Sequence, residues 1–232
     1  MKLLAFDTSN KTLSLAILDN ETLLADITLN IKKNHSVSLM PAIDFLMTSV
    51  DLQPKDLNRI VVAQGPGSYT GLRVAVATAK MLAYSLKIDL VGVSSLYALA
   101  ASTCKQNPDS LVIPLIDARR NNVYVGYYRQ EKLVLPERHA SLTGLLDQLR
   151  GERELIFVGE VAPFAEQILD VLPQAEIIPT LPSAYECACL GFRLEAVNVT
   201  TFVPNYLKRV EAEENWLKEH QASDESQYIK RV

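Results

Sequence analysis

The sequence predicts an α/β protein made of two duplicated domains. Three apolar, strand-like runs joined by short turns open the chain, and alternating helix-like and strand-like segments follow them. The same order recurs more weakly after the turn Asn107-Pro108-Asp109. The chain has 232 residues, of which 48% are hydrophobic and 22% charged, a composition typical of a globular protein of one large or two small domains.

The first hundred residues read as β-β-β-α-β-α-β. Strands are predicted at 2–7, 12–18, 22–29, 59–64 and 90–93, helices at 35–50 and 70–86, and a further helix opens at 95–101. Pro41 should bend the first helix or shift its start, since proline cannot continue the hydrogen-bond ladder. Three meander strands followed by α/β units is the order of the ribonuclease H-like fold of actin, Hsp70 and sugar kinases.

The second half repeats this order. Strand-like runs at 111–116, 122–129 and 132–135 form a second meander, and alternating elements follow at 140–149, 154–158, 161–172, 176–178 and 183–197. We therefore predict a first domain at 1–106, a smaller second domain at 107–210, and a charged C-terminal helix or tail at 211–232 that holds the only tryptophan, Trp216.

A glycine-rich turn lies between the fourth strand and the second helix. It reads Gly65-Pro66-Gly67-Ser68-Tyr69-Thr70-Gly71-Leu72-Arg73. A Walker A loop needs Lys-Ser/Thr after the last glycine, a Rossmann fingerprint needs one residue fewer, and a nucleophile elbow needs glycine where Pro66 stands. All three spacings fail, so we interpret the segment as a structural turn that packs a helix tightly on a sheet rather than as a catalytic loop.

Charge and cysteine content narrow the class of protein further. The formal net charge is −4 and the pI about 5.5, which argues against a general nucleic-acid-coating protein. The cysteines Cys104, Cys187 and Cys189 lack zinc-site spacing and suit a reducing compartment as buried, inert thiols. No apolar run is long enough to span a bilayer and no signal peptide opens the chain, so a cytoplasmic protein is expected.

Four motifs together resemble one family. They are Leu4-Ala5-Phe6-Asp7-Thr8-Ser9, the stretch from Gln64 through the glycine turn, Asp117-Ala118-Arg119-Arg120 with Val123-Tyr124, and Pro204-Asn205-Tyr206-Leu207-Lys208-Arg209. Over essentially the whole chain they look like the TsaB family, the bacterial accessory subunits for N6-threonylcarbamoyladenosine (t6A) at position 37 of tRNAs that read codons starting with A. The resemblance implies an actin-like two-domain fold and pairing with the transferase TsaD. The ATPase TsaE would join that complex, tRNA would be met only through it, and a homodimer would form when TsaD is absent.

The resemblance also implies that this chain is not an enzyme. TsaD-like proteins carry a metal-binding His-x-x-x-His pair on one face of a helix. Ser95 and Leu99 stand at those positions here when the sequences are aligned by eye, and the remaining histidines, His35, His139 and His220, are scattered. Near a helix start, His35 suits a cap or partner contact better than catalysis.

The residues expected for nucleotide binding are also replaced in this sequence. Actin-like kinases hold phosphates with two glycine-bearing β-hairpins, but the first hairpin here has Ser9 at the glycine position and the second, after Asp117, has no glycine. Asp7 and Asp117 could still ligate Mg²⁺, although capping of the hairpins is the expected role. We therefore expect no cofactor and no metal. Two other functions are alternatives to a noncatalytic subunit. One is a stand-alone actin-fold phosphotransferase or carbamoyltransferase, and the other is a peptidase.

The predicted partner surface lies on the helices at 35–50 and 70–86, which are apolar on more sides than one sheet can cover. The alternative is that the second domain covers them. The candidate interface residues are His35, Val37, Ser38, Pro41, Phe45, Leu72, Arg73, Val76, Ala79, Lys80 and Ala83. The family-motif residues of structural or unknown role are Asp7, Gly65, Pro66, Gly67, Ser68, Thr70, Gly71, Asp117 and Arg119.

Overall fold

The structure is a computed structural model that describes residues 1–31 and 34–208. The predicted C-terminal helix or tail at 211–232 lies outside the described residues. Among the described residues, no helix combines the length and the apolar character needed to cross a bilayer.

The first half forms a five-stranded sheet with the strand order β3-β2-β1-β4-β5. Its elements are β1 (Lys2–Asp7), β2 (Leu13–Asp19), β3 (Thr22–Leu29), α1 (His35–Ser49), β4 (Arg59–Gly65), α2 (Tyr69–Leu86), β5 (Asp89–Ser94) and α3 (Ser95–Gln106). The central strand β1 pairs antiparallel with β2 and parallel with β4, so that Ala5 lies opposite Ala16 on one side and Val61 on the other.

The second half repeats this sheet with the order β10-β9-β6-β7-β8. Its elements are β6 (Leu111–Asp117), β7 (Asn122–Arg129), β8 (Lys132–Ser141), α4 (Leu142–Gln148), β9 (Leu155–Gly159), α5 (Ala165–Val171), β10 (Glu176–Ile178) and α6 (Ala184–Arg193). Here β6 is the central strand, antiparallel to β7 and parallel to β9. The two sheets therefore share one topology, and the predicted fold, a duplicated actin-like or ribonuclease H-like α/β domain, is confirmed.

Most element ends agree with the sequence prediction, and the differences have local causes. Strand β8 continues to Ser141, whose hydroxyl accepts from the Gly144 amide, so α4 starts two residues later than predicted. Helix α1 starts at His35 behind its N-cap, Asn34, and passes through Pro41 without a shifted start. The alternative that Pro41 moves the helix start is therefore wrong.

Two layers of helix cover the first sheet. Helices α1 and α2 pack on one side against Leu4, Phe6 and Val62, while α3 and α6 lie on the other side, between the two sheets. Helix α6 approaches the first sheet so closely that a Cβ on Gly191 would lie 2.6 Å from both methyl carbons of Val61. Alternation along the strands thus divides the core into one layer beneath α1 and α2 and one layer between the sheets.

The chain returns to the first sheet after β10. The Ala184 amide donates to Ser14 Oγ (3.0 Å), and Arg59 Nη1 donates to the carbonyls of Gly191 (2.8 Å) and Leu194 (2.9 Å) at the end of α6. The next stretch, residues 195–206, which we call the strap, runs along the edge strand β5. Residues 184–206 therefore pack with the first domain, unlike the sequence-based division that placed 107–210 together.

Candidate functional site

The ends of the two central strands carry matching turns. Asp7 Oδ1 accepts from the Ser9 amide at 2.6 Å, and Asp117 Oδ1 accepts from the Arg119 amide at 2.7 Å. Each carboxylate thus caps the turn two residues beyond itself, which confirms the hairpin-capping role predicted for both aspartates. The residue spacing is the same in both domains, as expected of duplicated hairpins.

The glycine turn fills the first hairpin. The Ser68 amide donates to the Ser9 carbonyl (2.6 Å), and Thr8 Oγ1 donates to the Gly71 carbonyl (2.8 Å). A Cβ on Gly71 would lie 2.0 Å from the Thr8 carbonyl oxygen, so only glycine fits there. The Ser9 carbonyl and the Thr8 hydroxyl of the hairpin therefore hold the glycine turn in place.

The remaining residues of the glycine turn have structural positions. Ser68 is the N-cap of α2, and its hydroxyl accepts from the Gly71 amide at 3.4 Å. Pro66 is buried behind a cis peptide bond, whereas Thr70 is exposed on the first turn of the helix. These contacts agree with the structural interpretation of the turn and leave Ser68 without a general base among the hydrogen bonds of the described residues.

Asp7, at the end of β1, is a deeply buried acid beside the first hairpin. It is fully buried, and its second oxygen, Oδ2, has no hydrogen-bond partner among the described residues. Burial raises the pKa of its carboxyl to about 6, although the hydrogen bond from the Ser9 amide and the His35 charge oppose the rise. His35 lies beside the hairpin and donates from Nε2 to the Asn10 carbonyl at 2.7 Å. His35 therefore ties α1 to the hairpin, while Asn34 caps the helix.

The positions aligned with the metal ligands of TsaD-like proteins lie in the interior. Ser95 is fully buried and its hydroxyl has no partner among the described residues, while Leu99 is 2% exposed and packs against Gly159. The adjacent Ser94, not Ser95, caps α3 through the Leu96 amide. Within residues 1–31 and 34–208, no three His, Cys, Asp or Glu side chains converge as a metal site.

The cysteines follow the prediction in part. Cys104 and Cys187 are buried, and burial raises the pKa of the Cys104 thiol to about 11 and that of Cys187 well above its usual value. Both are therefore inert thiols, as predicted. Cys189 is half-buried at the edge of the core between the sheets, so the prediction of burial is wrong for this residue.

The outer face of α1 and α2 carries the most exposed large apolar side chains of the first domain. On α1, Val37 is 70% and Phe45 62% exposed, and Pro41 is also exposed. On α2, Met81 is 63% and Tyr84 68% exposed. No described residue of the second domain covers these side chains, so the alternative that the second domain covers the two helices is wrong for this face.

The residues predicted on α2 are only partly on this face. Val76, Ala79 and Ala83 are buried in the core between α2 and the first sheet, and Leu72 is buried beside Gly65. Their assignment to an exposed surface is therefore corrected, as is that of Lys80, whose amine binds the strap carbonyls of Thr200 and Phe202. Arg73 is exposed and Ser38 half-buried. Sequence reasoning missed Met40, Met81 and Tyr84, although helical spacing from Arg73 would have reached the last two.

The sheet topology and the hairpin contacts describe a two-domain protein with the actin-like fold, in which the glycine turn packs against the first hairpin. A family model described as "TsaD: tRNA N6-adenosine threonylcarbamoyltransferase" matches residues 22–216. The Bacillus subtilis protein named "tRNA threonylcarbamoyladenosine biosynthesis protein TsaB" is 42% identical over 228 residues, which cover 94% of this chain and 99% of that protein. The chain therefore belongs to the TsaB family, within the wider family of the TsaD model.

More distant relatives agree with this placement. The Escherichia coli protein of the same name is 30% identical over 132 residues, covering 57% of this chain and 57% of that protein. The solved structure of YeaZ from Pseudomonas aeruginosa has a TM-score of 0.73 at 27% identity and covers 89% of this chain and 99% of that chain. Component A of (R)-2-hydroxyglutaryl-CoA dehydratase from Acidaminococcus fermentans, at 11% identity and a TM-score of 0.55, shares the fold alone and covers 83% of this chain and 98% of that chain.

Proposed function

We propose that this chain is a noncatalytic subunit of the t6A machinery and acts by pairing with TsaD. The observation that carries the proposal is the exposed apolar face of α1 and α2, where Val37, Phe45, Met81 and Tyr84 are each more than half exposed. Large apolar side chains exposed together on two neighbouring helices favour an interaction site. The relatives' names place them in t6A biosynthesis, which supports the choice of partner.

The pairing is a contact between helices. The outer face of α1 and α2 meets the corresponding helices of TsaD, or those of a second copy of this chain when TsaD is absent. TsaE joins the heterodimer, tRNA meets this chain only within the complex, and the complex works in the cytoplasm. The reaction to which the complex contributes is threonylcarbamoyl transfer to adenosine 37 of tRNAs that read ANN codons.

The noncatalytic role is supported by the residues at the positions aligned with the family's functional groups. Leu99 cannot ligate a metal, and Ser9, at the hairpin position where actin-like kinases carry glycine, is bound through its carbonyl by the Ser68 amide of the glycine turn. The second candidate, a stand-alone actin-fold phosphotransferase or carbamoyltransferase, is favoured only by the two retained hairpin carboxylates, Asp7 and Asp117. We expect the purified chain to hold no stoichiometric Zn or Fe and to release no phosphate from ATP. One tightly bound metal per chain, or sustained hydrolysis, would revive the second candidate.

A charge placed at the centre of the exposed face tests the pairing. Phe45→Glu should leave the folded monomer intact because the side chain is 62% exposed. In the complex it forces a carboxylate into a desolvated contact, which costs several kcal/mol. A loss of about 4 kcal/mol corresponds to roughly thousandfold weaker binding. The affinity for purified TsaD, by calorimetry, and the sedimentation of any homodimer measure this effect.

Leu169→Glu is the matched control, since Leu169 is also exposed (43%) but lies on α5 of the second domain. It should bind TsaD as the parent does. If Phe45→Glu unfolds the chain by circular dichroism, Phe45 belongs to the core. If it folds and binds TsaD with unchanged affinity, the partner docks elsewhere and the proposed pairing surface is wrong.

A further inference from the structure

The strap is fixed to the first domain along its length. The Val197 amide donates to the Leu90 carbonyl at 2.8 Å, which continues the edge of β5. Phe202 is 8% exposed and belongs to the core beneath α1 and α2. Lys80 Nζ donates to the carbonyls of Thr200 (3.0 Å) and Phe202 (2.8 Å). The strap is thus bound to β5 on one side and to α2 on the other. Its last residues lie beside the glycine turn.

The end of the strap and the glycine turn fit each other. The Asn205 amide donates to the Gln64 carbonyl at 2.7 Å. A Cβ on Gly65, where φ is +122°, would lie 2.5 Å from the Asn205 carbonyl oxygen, so the strap can approach only a glycine. This contact joins two family motifs that are far apart in sequence. It places Tyr206 against Tyr69, with ring centroids 5.2 Å apart.

Tyr69, Tyr206 and Arg73 form an exposed cluster, which we call the aromatic cluster. The two tyrosines are 43% and 42% exposed. Arg73 Nη1 donates to the Tyr69 hydroxyl at 2.9 Å, and its guanidinium carbon lies 5.0 Å from the centre of the Tyr69 ring. Tyrosine and arginine are enriched among binding hot spots. Because these side chains already hold one another, binding would cost little further side-chain entropy.

The aromatic cluster continues the exposed face of the helices. Exposed positions 73, 77, 81 and 84 follow one another at helical spacing along α2, so Arg73 lies on the same stripe as Met81 and Tyr84. Eight residues of α1 and seven of α2 are exposed. A stable interface uses about 20–30 residues on each side. Tyr69 and Arg73 are among these exposed residues of α2, so the strap extends the surface by Tyr206 and its exposed neighbours Val203 and Asn205.

We propose that the partner surface extends from α1 and α2 onto the aromatic cluster, and that Tyr69, Arg73 and Tyr206 are hot spots for the same transferase subunit. This inference rests on the proposed function. The matching partner is a protein surface that presents apolar side chains to the helices and a carboxylate to the Arg73 guanidinium. The strap motif then has a binding role, because it brings Tyr206 to the edge of the helical face.

The test measures the affinity of purified TsaD for variants of the full chain by calorimetry. Tyr206→Ala should weaken binding by about 30-fold, the effect of one hot-spot residue. Tyr206→Phe keeps the ring stack and should stay within about 3-fold of the parent. Arg73→Ala leaves the strap contacts in place and should weaken binding by about 10-fold. Leu169→Ala, on the second domain, should bind as the parent does.

The outcomes separate this inference from the proposed function. If Phe45→Glu abolishes binding while Tyr206→Ala and Arg73→Ala bind normally, the extension is overturned and the pairing stands. If Phe45→Glu also binds normally, the pairing surface itself fails. If Tyr206→Ala lowers the melting temperature, the variant also disturbs the fold, and the TsaD affinity of Arg73→Ala then decides whether the aromatic cluster binds the partner. If these variants bind TsaD normally but the complex loses affinity for tRNA, the cluster contacts RNA, and the inference of a protein hot spot is overturned.

Discussion

Replacing Asp7 with asparagine should stabilise the protein at neutral and alkaline pH. Asp7 is fully buried, its Oδ2 has no hydrogen-bond partner among the described residues, and burial raises the pKa of its carboxyl to about 6. In the unfolded chain an aspartate has a pKa of about 3.9. The folded state therefore binds the proton more tightly. Its ionisation carries no penalty below about pH 4, a growing penalty between about pH 4 and 6, and the full penalty above about pH 6.

The size of the effect follows from that pKa difference. A difference of about two in pKa corresponds to roughly 3 kcal/mol of unfolding free energy. The asparagine side chain carries no charge, and its oxygen can still accept from the Ser9 amide, which lies 2.6 Å from Asp7 Oδ1. Asp7→Asn should therefore raise the free energy of unfolding by up to about 3 kcal/mol at pH 8 and change it little at pH 4.

Urea unfolding followed by circular dichroism between pH 4 and 8 measures this difference. The matched control is Asp117→Asn in the duplicated hairpin, where the carboxylate makes the same turn contact to Arg119 but is exposed. It should change stability by less than about 0.5 kcal/mol. If Asp7→Asn is less stable than the parent at pH 8, the folded protein compensates the buried carboxylate and our reasoning from burial is wrong.

Two further predictions concern the end of α6 and the cellular role. Arg59→Met should lower the free energy of unfolding by about 2–4 kcal/mol, because Nη1 donates to the carbonyls of Gly191, Phe192 and Leu194. Asp89→Asn, which removes only the exposed ion pair of Arg59, should cost less than about 1 kcal/mol; equal losses in denaturant titrations would assign the energy to the ion pair. Depleting the chain in its host should lower t6A in bulk tRNA, measured by nucleoside mass spectrometry, while synthesis of the threonylcarbamoyl-adenylate donor continues. Unchanged t6A without a redundant copy would remove the proposed function.

Local patterns were enough to predict the order of the elements. The strands Lys2–Asp7, Thr22–Leu29 and Asn122–Arg129 have the predicted bounds, since apolar runs between turn residues define them within a few positions. The capping roles of Asp7 and Asp117 were also predicted, because an Asx turn depends only on the two residues that follow. Such features are decided by neighbours in sequence.

The inward side of α2 could not be predicted in the same way. The helix is rich in small and apolar residues, so no broad polar face reveals which side meets solvent. Leu72 and Val76 are buried while Met81 and Tyr84 are exposed, although hydrophobicity alone favours burial of Leu, Val and Met. Packing against the first sheet decides which side of α2 is buried, because side chains that face the sheet lose their access to water whatever their size.

Local periodicity, turn chemistry and motifs were enough to predict the duplicated α/β fold, the glycine turn and the family. The return of the segment after β10 to the first sheet, and the contact of Tyr206 with Tyr69, could be seen only in the folded protein. Backbone hydrogen bonds such as that from Asn205 to Gln64 join residues far apart in the chain. Such contacts produce no periodic pattern in the sequence from which they could be predicted. The proposed partner surface therefore follows from packing, which brings the strap beside the glycine turn at the start of α2.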